Sequence, residues 1–233
     1  MNTKPLLLGF EQLQWTGEIE FKLDYPSRLA QQLKQDEIDI ALMPVAAMLD
    51  IPGTTIISDY GIAADGVVAS VCIYSHVPLQ EVNTVLLDYQ SRTSVRLAQL
   101  LLKEYWQHEV VFQQADEQYI NDIKGNTAGV IIGDRALQQL GNFPYVYDLA
   151  AAWKAWTGLP FVFAAWISKK SWSPEFIHFF NQANQFGLQH LDTLVAQIAY
   201  PHYDLNQYYT ENIHYHLDAM KREGLALFLQ KIK

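Results

Sequence analysis

The chain has a single cysteine, Cys72, which excludes an internal disulfide and a cysteine-rich zinc site. Cys72 sits in the apolar run Val67 to Tyr74, where a buried thiol is expected. Cations are also scarce: 16 Lys and Arg stand against 25 Asp and Glu, a formal charge of −9. That balance argues against nucleic acid or an anionic membrane as the main partner, so an anionic ligand must be held by local donors. No apolar stretch approaches the roughly 20 residues needed to cross a bilayer. The opening Met1-Asn2-Thr3-Lys4-Pro5 lacks the charged-then-apolar pattern of a signal peptide, and a cytoplasmic location is expected. Repeats, low-complexity tracts and the G-x-G-x-x-G, P-loop and G-x-S-x-G patterns are absent. His214 and His216 fall in a stretch read as helical, where i, i+2 spacing separates them onto different faces, so no metal site is expected.

What is present is apolar material in quantity. At 233 residues and 50% hydrophobic content the chain can bury a large core in one unit or two small lobes. Apolar runs of strand length alternate with helical patterns, which indicates α/β organisation. Pro26 and Ser27 open an amphipathic helix through Leu29, Ala30 and Leu33; Ile38 to Met43 follows as a buried strand ended by Pro44, and Val45 to Leu49 begins another helix. Ile56-Ile57 and Val67 to Tyr74 read as strands separated by turns at Gly61 and Gly66. After Pro78 a second set appears: strands at 84–87, 110–112 and 128–132, and helices from Ser94 and after Gly133-Asp134. Phe161 to Ile167 reads as a strand buried on both faces, and the remainder as mostly helical, with an amphipathic tail at 208–228. The expected lobes are 1–80 with 168–233, and 81–167. Glycines and helix N-termini at their edges describe a clamshell with its ligand between the lobes.

The most chemical stretch is Val85-Leu86-Leu87-Asp88-Tyr89-Gln90-Ser91-Arg92-Thr93-Ser94. An apolar strand runs into hydroxyls and a guanidinium where a helix begins, because Val95, Ala98, Leu102 and Tyr105 recur at helical spacing. Ser91 to Ser94 then lie near the N-cap, where unpaired N–H groups and the positive end of the helix dipole favour a carboxylate or phosphate. A capping cluster that serves only the helix is the competing reading. Arg92 has two open roles, reaching the ligand bidentately or turning outward to Asp88 or Asp134.

Several blocks in order, Asn2-Thr3-Lys4-Pro5, Asp39-Ile40-Ala41-Leu42-Met43-Pro44, Gly66-Val67-Val68-Ala69-Ser70-Val71, Ser91-Arg92-Thr93-Ser94, Ile132-Gly133-Asp134 and Thr157-Gly158-Leu159-Pro160-Phe161-Val162-Phe163-Ala164, resemble the chorismate dehydratases of the futalosine route to menaquinone. The resemblance spans nearly the whole chain. It implies the type II periplasmic-binding-protein fold and the loss of water from chorismate to give 3-[(1-carboxyvinyl)oxy]benzoate, with no cofactor. It implies Asn2 and Ser70 as catalytic groups, and Thr3, Ser91, Arg92, Thr93, Ser94, Gly133 and Asp134 as substrate-binding. Asn2 can donate to and accept from the leaving hydroxyl but is a poor base, and no acid is assigned to take the proton. Asp59 and Asp65, beside the glycine turns, are set aside as turn formers.

The family also carries a strand ahead of its Asn-Thr-x-Pro block. Here Asn2 follows one residue, so an upstream truncation, or occupancy of that place by another segment or chain, is expected. Two other functions stay open: the paralogous naphthoate synthase of the same pathway, and a non-catalytic binding protein or sensor for a small carboxylate.

Overall fold

The structure, a computed structural model, describes residues 1–13 and 15–233. Two sheets organise it. The first has the order β1 (Ile40–Pro44), β8 (Phe161–Ser168), β2 (Thr55–Ala64), β9 (His214–His216), with every pair antiparallel. The second runs β5 (Val111–Gln114), β4 (Thr84–Leu87), β6 (Thr127–Ile132), β3 (Val71–Ser75), β7 (Tyr145–Asp148), with β4 parallel to β5 and β6 and β3 antiparallel to its neighbours.

Helices cover the first sheet as their sequences direct. In α2 (Pro26–Lys34) Pro26 starts the helix and Ala30 and Leu33 turn inward against β1. Helices α1 (Lys4–Gln12) and α6 (Pro174–Gln189) pack so closely that a Cβ at Gly9 would lie 1.9 Å from the Ala183 carbonyl oxygen. In the tail, α9 (Ala219–Lys231) seats buried Phe228 at 4.8 Å from the Phe161 ring and 6.0 Å from Trp153 of α5 (Leu149–Thr157). Each buried ring contributes about 1.5–3 kcal/mol of transfer free energy, so the chain's end is held firmly to its middle.

The crossing between sheets differs from the expected boundaries. Strand 71–75 pairs in the second sheet and strand 161–168 in the first, so the chain crosses at 65–70 and again at 158–160. Pro78 lies between two strands of the second sheet, as the residue that starts the short 3-10 turn Leu79–Glu81. Backbone turns at the crossings are left-handed: φ is +116° at Gly66, +61° at Ala69 and +74° at Gly158, which ends α5. The Asp148 carboxylate ties the two ends of this passage, accepting Val68 and Ala69 N–H on one oxygen (3.0 and 2.7 Å) and the Ala150 and Ala151 N–H of α5 on the other (3.0 and 2.9 Å).

Three local expectations also change. Gly61 lies inside β2, where a Cβ would sit 2.6 Å from the Ala164 carbonyl oxygen; its role is close strand approach at a register shift, not a turn. The tail at 208–228 is not one helix, for a π-helical turn at Tyr208–Asn212 and strand β9 precede α9. His214 and His216 therefore share one face of a strand, and the helical argument for separating them fails. No cluster of three or more His, Cys, Asp or Glu suited to a metal occurs among the described residues, and no helix described is long and apolar enough to cross a membrane.

Candidate functional site

The Ser91–Ser94 turn forms where β4 ends. Asp88, its side chain wholly buried, accepts from Gln90 N–H (2.7 Å), Tyr119 Oη–H (2.8 Å) and Arg135 Nη2 (2.6 Å), which sets the path of the chain into α3 (Arg92–Leu100). Ser91 is the N-cap: its Oγ accepts Ser94 N–H at 3.2 Å and lies 3.0 Å from Ser94 Oγ. Thr93 is fully buried, and its Oγ1 accepts the Ala46 N–H of the first lobe at 3.1 Å. Part of this hydroxyl set thus serves the helix cap and the seam between lobes.

Arg92 takes neither of the partners considered from sequence. Asp88 is occupied by Arg135, and Arg92 turns outward to Asp50 at 2.9 Å, with about half of its side chain in solvent. Its bidentate reach to a ligand is therefore replaced by a surface ion pair.

Ser70 lies at the first crossing, 1% exposed. Its Oγ accepts from Tyr208 Oη–H at 2.8 Å, and its carbonyl accepts from Gly133 N–H at 2.7 Å. That second bond joins Ser70 to the turn that starts α4 (Asp134–Gln139), where Gly133 has φ +63° and open space around the position of a Cβ, so the constraint there is conformational. Asp134 follows, partly exposed; its carboxylate accepts from the Met1 amine at 3.1 Å and its carbonyl from Tyr200 Oη–H at 3.2 Å. The fold uses the Asn2 backbone: its carbonyl accepts from Tyr215 Oη–H at 3.0 Å. Thr3 is the residue before α1 and makes no side-chain cap bond.

Asn2, Ser70, Gly133 and Asp134 are thus drawn together through direct bonds or shared neighbours, while Thr93 links the Ser91 turn to the opposite lobe. Within this set Ser70, Thr93 and Ser94 are buried, and Asn2, Ser91, Gly133 and Asp134 are the partly exposed members. Two grooves are described on the surface: one lies beside α3 and the end of α9, and the other runs along β1 and includes Thr3 of the candidate set in its lining.

Sequence reasoning missed the tyrosines. Tyr208, Tyr209 and Tyr215 are buried beneath the site and donate to Ser70, to the Met1 carbonyl (3.2 Å) and to Asn2. Burial raises all three phenols, Tyr209 to about 12, so they are neutral donors at neutral pH. The available signal was density: five tyrosines fall between 200 and 215.

Two α/β sheets linked by paired crossings, with hydroxyls and helix N-termini between them, define a periplasmic-binding-protein-like clamshell. Solved structures agree on the fold. A protein of Archaeoglobus fulgidus matches with a TM-score of 0.74 at 11% identity, covering 98% of this chain and 91% of that one. A Candida albicans gene product described as having the generic periplasmic binding protein fold matches with a TM-score of 0.59 at 12% identity, covering 99% and 85%. The particular family follows from sequence: the menaquinone biosynthesis family model matches residues 1–233, and the chain belongs to that family. It is also 27% identical over 230 residues to the chorismate dehydratase of Thermus thermophilus, covering 89% of this chain and 84% of that protein.

Proposed function

We propose that this protein is a chorismate dehydratase, a hydro-lyase that takes the ring hydroxyl and a ring proton from chorismate as water and leaves 3-[(1-carboxyvinyl)oxy]benzoate. The observation that carries the reading is the co-linear likeness to a chorismate dehydratase over most of both chains. The site chemistry is compatible with it. Aromatisation drives the elimination, so the protein has to orient a dianion, assist hydroxide departure and exclude water. Hydroxyls and N–H groups of the Ser91–Ser94 turn suit a carboxylate in an otherwise acidic molecule. Asn2 and Ser70, the latter polarised by Tyr208, are the donors for the departing hydroxyl. Asp134 is the protein carboxylate at the site and serves as proton acceptor, a role that a substrate carboxylate could share. Arg92 is left out because it points to Asp50. We place the reaction in the cytoplasm.

The test is incubation of the pure protein with chorismate, following the aromatic enolpyruvyl ether by absorbance and mass. Binding of chorismate without turnover would favour the sensor reading instead. No binding at all would remove both.

A further inference from the structure

Strands β4 and β6 are parallel neighbours, paired from Thr84 with Thr127 to Leu86 with Gly129, and each runs at its C-terminal end into a turn and a helix. The turn after β4 carries Ser91, and the turn after β6 carries Gly133 and Asp134. Ligands of open α/β sheets lie outside such strand ends. The two turns are not held alike. The β6 side is fixed twice: Tyr74 Oη–H donates to the Ala136 carbonyl at 2.7 Å, and Gly133 N–H donates to the Ser70 carbonyl. On the β4 side no backbone hydrogen bond ties Tyr89 or Gln90 to another element among the described residues. The direct tie from one turn to the other is an ion pair. Arg135 of α4 donates from Nη2 to Asp88 Oδ2 at 2.6 Å, while Asp88 Oδ1 accepts Gln90 N–H at 2.7 Å. The same guanidinium lies over the rings of Tyr89 and Tyr119, 5.1 and 5.9 Å from their centroids.

Burying this pair is costly for the fold. The Asp88 side chain has no exposed surface, and burial raises its carboxyl, with Arg135 the leading influence opposing the rise. Arg135 Nη1 is buried without a partner among the described residues, so the guanidinium does not make the full set of bonds that would offset its desolvation. A buried pair bonded so incompletely contributes little to stability, and what it does fix is the distance between the two turns. We propose that Arg135 is a positioning residue: through Asp88 it holds the Ser91–Ser94 turn at a set distance from Gly133 and Asp134, so that a substrate anchored by its carboxylate at the first turn has its ring beside the second. The proposal rests on the dehydratase reading for its substrate and adds to it a residue that acts through another. A loosened loop weakens the anchor in the ground state and the transition state alike, so the loss falls on KM.

The experiment compares Arg135→Met, Arg135→Lys and Asp88→Asn in the full chain, with chorismate as substrate. Methionine keeps an unbranched apolar stem against Tyr89 and Tyr119 and removes the charge, which lysine restores. In Arg135→Met, KM rises at least about tenfold with kcat within about threefold; Arg135→Lys recovers most of that rise, and Asp88→Asn raises KM in the same direction. Without substrate, hydrogen exchange in Arg135→Met quickens about tenfold or more at Gln90 and Ser94 N–H and is unchanged at Ala150 N–H, which Asp148 holds. A KM in Arg135→Met within about twofold of the parent, equal KM for the methionine and lysine variants, or a fall confined to kcat overturns the proposal. If Arg135→Met does not fold, Asp88→Asn decides alone: KM and exchange as in the parent overturn the proposal. A parent that neither binds nor turns over chorismate removes the dehydratase reading. The exchange comparison then judges the tie by itself, selective loss of protection at Gln90 and Ser94 supporting it and unchanged protection overturning it.

Discussion

Tyr208 and Ser70 are 138 residues apart in sequence and share a buried hydrogen bond of 2.8 Å. Through it the tail of the chain reaches the crossing between the two lobes. Ser70 in turn accepts Gly133 N–H, so one short relay connects tail, crossing and the start of α4. Tyr208→Phe strands the Ser70 hydroxyl in a dry place and should lower unfolding free energy by about 1–3 kcal/mol. The double variant Tyr208→Phe, Ser70→Ala should cost less than the sum of the single changes, as read in urea denaturation; strict additivity would deny the coupling.

Thr93 and Arg92 are adjacent and should behave oppositely. Thr93→Val removes the acceptor of the buried Ala46 N–H and should cost about 1–3 kcal/mol, with faster hydrogen exchange at Ala46. Arg92→Ala breaks a surface pair with Asp50 and should cost under about 1 kcal/mol. It should leave chorismate turnover within about twofold, a change that small in kcat/KM corresponding to under about 0.5 kcal/mol.

Burial raises the Asp148 carboxyl above the ordinary value of 3.8, with four backbone N–H groups only partly opposing the shift. The folded state therefore holds this proton more tightly than the unfolded chain. Stability should fall as pH rises from about the ordinary carboxylate value through the raised folded value, and level off above it. Asp88 shifts in the same direction for the same leading cause, despite Arg135. In Asp148→Asn the part of the slope due to this group should vanish, measured as unfolding free energy against pH. An unchanged slope would show that Asp148 titrates alike in both states.

For the chemistry, Asn2→Ala, Ser91→Ala and Asp134→Asn should each lower kcat/KM for chorismate at least about tenfold, a loss of roughly 1.4 kcal/mol or more of transition-state stabilisation. Ser91→Ala also forfeits a helix cap, a stability loss of about 1 kcal/mol. Its Tm should therefore fall modestly, while Asn2→Ala, whose backbone makes the structural bond, should melt like the parent. Full activity in all three would remove these residues from the site.

A Cβ on either of two glycines would collide with backbone between α1 and α6. Gly9→Ala or Gly187→Ala would force the helices apart, since the added atom would sit 1.9 Å from the Ala183 oxygen or 1.8 Å from the Pro5 oxygen. A loss of about 1–3 kcal/mol is expected from such overpacking, and a thermal melt matching the parent would contradict it.

Strand-length apolar runs survived translation into structure because their burial is set by local pattern. Val85 to Leu87, Ala128 to Ile132 and Phe161 to Ile167 are strands that lie in sheet interiors, each paired on both sides. The segment 18–24 carries an equally good pattern and is not a strand, since a ladder needs a neighbour and none among the described residues is paired with it. In the site, the Ser91 cap could be read from the chain, because capping is a contact over three residues. The bonds of Ser70, Asn2 and Arg92 could not, since their partners Tyr208, Tyr215 and Asp50 are brought near only by packing.

Composition and periodicity alone determined an acidic α/β protein with a buried thiol, no disulfide and a hydroxyl-rich helix start, because those depend on residue type and short-range geometry. Tertiary structure decided where the chain passes between the two sheets, that Arg92 pairs with Asp50, that tail tyrosines bond to Ser70 and Asn2, and that β8 is the strand paired with β1 among the described residues. Those outcomes rest on pairings between distant segments, whose free energies come from which surfaces close against each other and not from any one stretch of chain.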